Sequence, residues 1–499
     1  MNGINSDNIS LNQESTTVEL LKNGSASGKL SQVNRRSFLK KAATGVATGM
    51  AFQIVPRHVL GGKGFVPPSE KINIAMIGCG GRARGNLKGV MQHADAQVIA
   101  VADPAEETDT KNLRIYRTVN GRVPFKSEIE GYYAEKTPNH GCAEYEDFRV
   151  MLDREEDIDA VMISTPDHQH AHNAVHAMRS GKHCYCEKPL THNIREARLV
   201  SKVANEMQVA TQMGNQGHSR ETMAQTIELI RGGVVGDVTE VHSWVPAKRW
   251  NPELMAPPTQ KESVPKGLNW DLWIGPRAMR PFHSAYHPVH WRDFWEFGCG
   301  ALGDFACHDM DSPTWALNLY APATVEAHCV GQTHPDLAPQ GTICYFHFPK
   351  SGDQQELKIT WYDGGVMPEL PEGVDPVRNR YSRGVMFVGT KGHLLCEGAG
   401  GTPRLIRDGE LIEKPELPPA SIPRVQDHYR DWLDACKGGR PALSNFEYGA
   451  RLTEITLLGV MAVRTGGKLE WNHDKMQVNN APDTEAIING IYRKGWEVI

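Results

Sequence analysis

The feature that most constrains this chain is a glycine-rich turn set between a strand and a helix. Ile72–Ile77 is a continuous apolar run of strand length, Gly78-Cys79-Gly80-Gly81-Arg82-Ala83-Arg84-Gly85 follows at once, and Asn86–Met91 suits a helix. A second apolar strand, Gln97–Ala102, ends at Asp103, 25 residues after the first glycine. The pattern is G-x-G-x-x-A, and each position has a physical task. Gly78 makes the tight turn, Gly80 lets a pyrophosphate approach the backbone, and Ala83 lets the helix pack close to the sheet. Gly81 and Arg82, in the same turn, are expected beside the cofactor, and the N-terminus of the helix that follows receives the phosphate charge. Asp103 suits both hydroxyls of an adenosine ribose and repels a 2′-phosphate, so NAD is the expected cofactor over NADP.

The alternation continues beyond this unit. Asp159–Ser164, His183–Cys186 and Val209–Gly214 read as strands, with helices over Tyr145–Leu152, His170–Arg179 and Asn193–Met207. Such alternation implies a doubly wound parallel sheet with ligands outside the carboxyl ends of its strands. Thr165-Pro166 and Glu187-Lys188-Pro189 stand at two of those ends. Thr165, Pro166, His170 and Glu187 are therefore expected beside the cofactor. Residues 104–142 are polar and without a clear period, which reads as a surface excursion.

Composition narrows the function classes. The 54 Lys and Arg against 59 Asp and Glu leave a net charge of −5, with no basic footprint for nucleic acid in the body of the chain. No stretch approaches the ~20 apolar residues of a membrane helix, so an integral membrane protein is not expected. Ten cysteines in 499 residues are too dilute for a disulfide scaffold. Cys184 and Cys186 are spaced neither as a zinc knuckle nor as a redox pair.

The first 65 residues stand apart from the fold. Asn34-Arg35-Arg36-Ser37-Phe38-Leu39-Lys40-Lys41 precedes the weakly apolar run Ala42–Val55 and resembles a twin-arginine export signal. It implies the twin-arginine translocase as a transient partner and a periplasmic or otherwise exported destination. Pro56–Ser69 reads as an extended arm.

Three motifs in order make a family resemblance specific. They are the glycine turn, Thr165-Pro166-Asp167-His168-Gln169-His170 with Glu187-Lys188-Pro189, and Gly298-Cys299-Gly300-Ala301-Leu302-Gly303-Asp304-Phe305-Ala306-Cys307-His308. From residue 72 to about 470 the chain resembles the Gfo/Idh/MocA oxidoreductases. The resemblance implies an N-terminal Rossmann domain followed by a C-terminal α/β domain on a large, mostly antiparallel sheet. The expected boundaries are 1–65 for signal and arm, 66–217 for the NAD-binding domain, and 218–499 for a substrate and oligomerisation domain, with a homo-oligomer expected. Carried over by position, Lys188 is the catalytic lysine, and Asp304 and His308 are its partner acid and base.

The chemistry follows from the residues as well. Oxidising a secondary alcohol needs a hydride acceptor and a base for the hydroxyl proton. Desolvation and a positive nicotinamide ring are expected to lower the pKa of Lys188. Asp304 and His308, four apart, share a face of a helix, so the Asp is expected to orient the His or to bond a neighbouring hydroxyl. His287, His290, Trp291 and Arg292 form an aromatic and polar loop suited either to a sugar or to packing. Pro288 breaks their helical spacing, and no metal is expected there. The expected activity is NAD-dependent oxidation or reduction of a secondary alcohol in a sugar, cyclitol or glycoside. An exported enzyme finds little free NAD, so a tightly held cofactor is expected. A redox-neutral glycosidase or epimerase working through transient oxidation is the alternative, and a non-catalytic cofactor-bound sugar sensor the third.

Overall fold

The computed structural model describes residues 66–498 apart from 114, 135–139, 351, 353–354, 373 and 375–381. The export signal at 34–41 and arm residues 56–65 lie outside the described residues. Six strands form the first sheet: β1 (Ile72–Ile77), β2 (Ala96–Ala102), β3 (Ala143–Tyr145), β4 (Ala160–Ile163), β5 (His183–Glu187) and β6 (Thr211–Gly214). Their order is β3-β2-β1-β4-β5-β6, every pair parallel. All six residues of β1 are buried, which is why its sequence is a continuous apolar run and not an alternating one. Winding reverses between β1 and β4, opening a crevice at their carboxyl ends.

The second sheet has ten strands. In chain order they are β7 (Val238–Trp244), β8 (Thr324–Val330), β9 (Gly341–Phe348), β10 (Leu357–Tyr362), β11 (Gly384–Gly389), β12 (Gly392–Glu397), β13 (Pro403–Arg407), β14 (Glu410–Ile412), β15 (Gly467–Asn472) and β16 (Gln477–Val478). The spatial order is β14-β13-β12-β11-β7-β10-β9-β8-β15-β16. Only β7 with β10 is parallel. The expected class, a Rossmann domain followed by a mostly antiparallel α/β domain, is the one observed.

Six helices matter for the site and its support: α1 (Gly81–Met91), α2 (Arg122–Tyr133), α3 (Ile194–Met207), α4 (Gly300–Asp309), α5 (His428–Cys436) and α6 (Phe446–Thr465). Helix α6 is buried along nearly its whole length, as its all-round apolar sequence requires. Helix α5 returns to the first sheet, where Trp432 and Leu433 join Ile74, Met76 and Leu87 in one core. The 104–142 segment differs from expectation. It holds a two-residue antiparallel ladder, Thr108–Asp109 with Val119–Asn120, and then α2, whose Phe125, Ile129 and Tyr133 are buried.

Candidate active site

The glycine turn is built by close approach. Gly78 has φ +87°, and a Cβ there would lie 2.8–2.9 Å from the backbone of Ser164 and Thr165. Only glycine lets the β1 and β4 loops meet in this way. At Gly80 an added Cβ would meet nothing within 4 Å, so the turn leaves room on that side for a ligand to reach the backbone. Asp103, at the end of β2, accepts from the Cys79 N–H at 2.7 Å and the Ala105 N–H at 2.8 Å. Burial nonetheless holds its pKa above the ordinary value. The cradle, the helix N-terminus behind it and the acid at the strand end fit a dinucleotide.

Every candidate catalytic, cofactor-binding or substrate-binding residue lines one cleft, with the exception of His290. His290 sits half-buried in the short turn His290–Asp293, outside that lining. Glu187 and Arg82 line the cleft but also hold each other. Glu187 Oε1 accepts from Arg82 Nε at 3.0 Å, Asn86 Nδ2 at 2.9 Å and Gln216 Nε2 at 2.8 Å. The His170 ring bridges two loops, its nitrogens 2.7 Å from the Pro189 carbonyl and 2.9 Å from that of Thr165. It positions the wall between Thr165 and Lys188.

At the other end, Lys188 Nζ donates to Asp304 Oδ1 and to the Asp304 carbonyl, both at 2.6 Å. Burial pulls the lysine pKa down, but the charge and hydrogen bond of Asp304, with Glu187 behind, outweigh it. Lys188 therefore stands above the ordinary lysine value, which corrects the expectation of a lowered one. Asp304 thus pairs with Lys188, and among the described residues no hydrogen bond joins it to His308. His308, one turn along α4, carries a buried Nδ1 with no hydrogen-bond partner. Burial first, then the charges of Lys188 and Arg383, hold it well below the ordinary histidine value, so its imidazole is neutral.

Further groups line or support the cleft. Trp250 faces Arg292, whose guanidinium stands 5.3 Å from its ring centroid and 4.1 Å from that of Trp291. Asp293 fixes the Trp250 loop by accepting the N–H groups of Trp250 and Asn251, each at 2.7 Å. Arg292 Nε also lies 3.6 Å from Asp304 Oδ2. Arg383 reaches the cleft while bonding both oxygens of Asp309. Asp167 accepts from the Cys299 N–H at 3.2 Å, and burial, then the nearby Asp304, raise it to about 7. Tyr116, from the 104–142 segment, lies over the glycine turn: a Cβ on Gly81 would fall 2.0 Å from its ring. Among the described residues, no group of three or more His, Cys, Asp or Glu is placed to hold a metal ion. No helix among them is long and apolar enough to cross a membrane.

Known proteins share both halves of this arrangement. Residues 72–215 match the model of an oxidoreductase family's NAD-binding Rossmann fold, and 243–346 match that of its C-terminal α/β domain. A glycosyl hydrolase family 109 protein of Shewanella pealeana is 25% identical over 306 residues, 58% of this chain and 61% of that protein. A 1,5-anhydro-D-fructose reductase of Ensifer adhaerens is 28% identical over 245 residues, 45% of this chain and 62% of that protein. The chain thus spans about three fifths of the length of these relatives. In fold it is similar to the WlbA dehydrogenase of Bordetella pertussis, solved with NADH and UDP-GlcNAcA. The TM-score is 0.53 at 17% identity, over 81% of this chain and 99% of that one. The aldose-aldose oxidoreductase of Caulobacter crescentus, solved with glycerol, gives 0.54 at 16% identity, over 80% of this chain and 100% of that one. Matched in chain order on a Rossmann sheet and an α/β domain, the two family models support assignment of this chain to the Gfo/Idh/MocA oxidoreductases.

Proposed function

We propose that the protein is an NAD-dependent oxidoreductase that acts on a secondary alcohol of a sugar, cyclitol or glycoside. The observation that carries this reading is the Lys188–Asp304 pair at 2.6 Å, beside the unpartnered Nδ1 of His308, in the cleft that begins at the glycine turn. A bound nicotinamide dinucleotide supplies the acceptor or donor of hydride. The chain's own residues do the rest. Lys188, an ammonium held by Asp304, donates a hydrogen bond to the reacting oxygen and stabilises negative charge as it develops there. His308 takes the hydroxyl proton on its free nitrogen and returns it in the reverse direction. Half-buried Trp250 offers a ring face to a sugar, with His287 and Arg292 beside it, while Trp291, only 5% exposed, backs Arg292. Asp103 at the carboxyl end of β2 supports NAD over NADP; the adjacent cation, Arg122, donates Nη1 to the Asp103 carbonyl at 3.2 Å.

Replacing Lys188 by Met and His308 by Ala should each cut turnover by about 10²–10⁴-fold, the worth of a positioned acid or base. Cofactor binding, read by mass spectrometry of released NAD(H), should stay near normal. Turnover within a few-fold of wild type in both variants would overturn the assignment.

A second reading rests on the glycosyl hydrolase family 109 relative and on Tyr116 lying over the turn. In it a dinucleotide held by the glycine turn under Tyr116 would supply both the hydride acceptor and the hydride donor of a single cycle, for a redox-neutral cleavage or epimerisation. Activity of gel-filtered protein with no NAD added supports this reading. One NADH released per turnover, with steady dependence on added NAD, supports an ordinary dehydrogenase. Export by the twin-arginine translocase, proposed from Arg35-Arg36 and the run after it, favours the closed cycle, because free NAD is scarce outside the cytoplasm.

A further inference from the structure

A second cavity, of about 390 Å³, is lined by His192, Asn193, Arg277 and Arg464 among others and shares no lining residue with the cleft. Its charge is out of balance. Arg277 is only 6% exposed, yet it makes no ion pair among the described residues. Its Nη2 donates to His192 Nδ1 at 2.8 Å, its Nη1 to the Ile491 carbonyl at 3.3 Å, and its Nε is buried without a partner. Arg464 lines the same cavity and also makes no ion pair among the described residues; its guanidinium stands 5.8 Å from the Trp295 ring centroid. Arg464 is exposed at the cavity's rim, where its charge adds to that of buried Arg277. The acids present do not close the gap. Glu296 pairs with Arg280, and the side chain of Asp336 is 70% exposed, facing His334; their charges reach Arg277 and Arg464 without an ion pair.

A guanidinium withdrawn from water needs an opposite charge in good geometry, and a second guanidinium on the same cavity deepens the deficit. The neutral imidazole of His192 and a carbonyl satisfy donors but supply no charge. A planar guanidinium fork fits the two oxygens of a carboxylate or phosphate. We propose that this cavity is a binding site for a small oxyanion, a carboxylate or phosphate group on a small molecule, held between Arg277 and Arg464.

The test titrates inorganic phosphate and, separately, succinate into the full-length protein at constant ionic strength. It is run with and without saturating NAD, so that phosphate at the glycine turn is recognised by competition. Wild type should show a saturable rise in melting temperature with at least one anion, unaffected by NAD. A response to phosphate alone or to succinate alone identifies the group; a response to both also supports the site. Arg464→Gln, at the cavity's rim, should weaken binding roughly tenfold, the loss of one charge-assisted hydrogen bond. Arg277→Gln should abolish it, and if that variant fails to fold the Arg464 variant still decides. No saturable response to either anion overturns the proposal, as does a response unchanged in Arg464→Gln or competed by NAD. Self-association that Arg464→Gln disrupts, without any anion effect, also overturns it, because the missing charge then belongs to another copy of the chain.

Discussion

Asp167 is a carboxyl whose burial beside Asp304 carries its pKa to about 7. Its folded value lies above the unfolded one, so the stability it contributes is present at low pH and lost as pH rises toward 7. The same proton bears on catalysis. Once Asp167 ionises, a second carboxylate faces the oxygen that Lys188 must stabilise as an anion. We expect kcat/KM to fall as pH rises through about 7, and Asp167→Asn, which mimics the neutral acid, to flatten that limb. A pH–rate profile of both proteins checks this; identical limbs would argue against the assignment. Asp103 offers a cleaner substitution. Asp103→Ala removes the repulsion of a 2′-phosphate, and fluorescence titration should show the preference for NAD over NADP relaxed. A wild type that binds NADP tighter would overturn that reading.

The 104–142 segment shows what an element contributes that its sequence conceals. Its short ladder is held by tertiary bonds: Thr110 Oγ1 donates to the Thr118 carbonyl, Asn120 Nδ2 to Thr110 Oγ1, and Arg84 to the Val119 carbonyl. Two-residue strands have no period to read. Helix α2 does carry Phe125, Ile129 and Tyr133 at helical spacing, but Pro124, Gly131 and a Gly121 N-cap at φ +108° mask its start. The strands β1, β2, β4 and β5 were legible because buried parallel strands are written as short apolar runs. The cleft was legible where motifs mark strand ends. The pairing of Asp304 with Lys188, 116 residues away, was not, since no spacing encodes a tertiary contact. Trp250 and Arg383 came from segments without any motif. The segment's Tyr116 also yields a prediction. Tyr116→Ala should uncover the turn and speed loss of bound NAD(H), measured by stopped-flow against a scavenger, with the melting temperature of the cofactor-free protein little changed. An unaltered off-rate would show that the ring does not limit release.

Across the whole molecule, the two sheets are joined by helices that come late in the chain. Helix α5 lies against α1 so closely that a Cβ on Gly89 would fall 2.2 Å from the Tyr429 ring. Tyr429 cannot simply move aside, because its hydroxyl donates to Asn86 Oδ1 at 2.9 Å. Gly89→Ala should therefore destabilise by about 1–3 kcal/mol through overpacking, despite a gain of ~1 kcal/mol in helix propensity. Combined with Tyr429→Ala the sign should reverse, a coupling that thermal melts of the four proteins would measure. The return of α5 also has a consequence for synthesis. The ribosome releases β6 roughly 200 residues before Trp432 and Leu433, a delay of about 10–40 s at ~5–20 residues per second. Through that interval the nascent first sheet lacks part of its cover on the α1 side, and the emerging chain should bind cytosolic chaperones until Cys436 has cleared the exit tunnel.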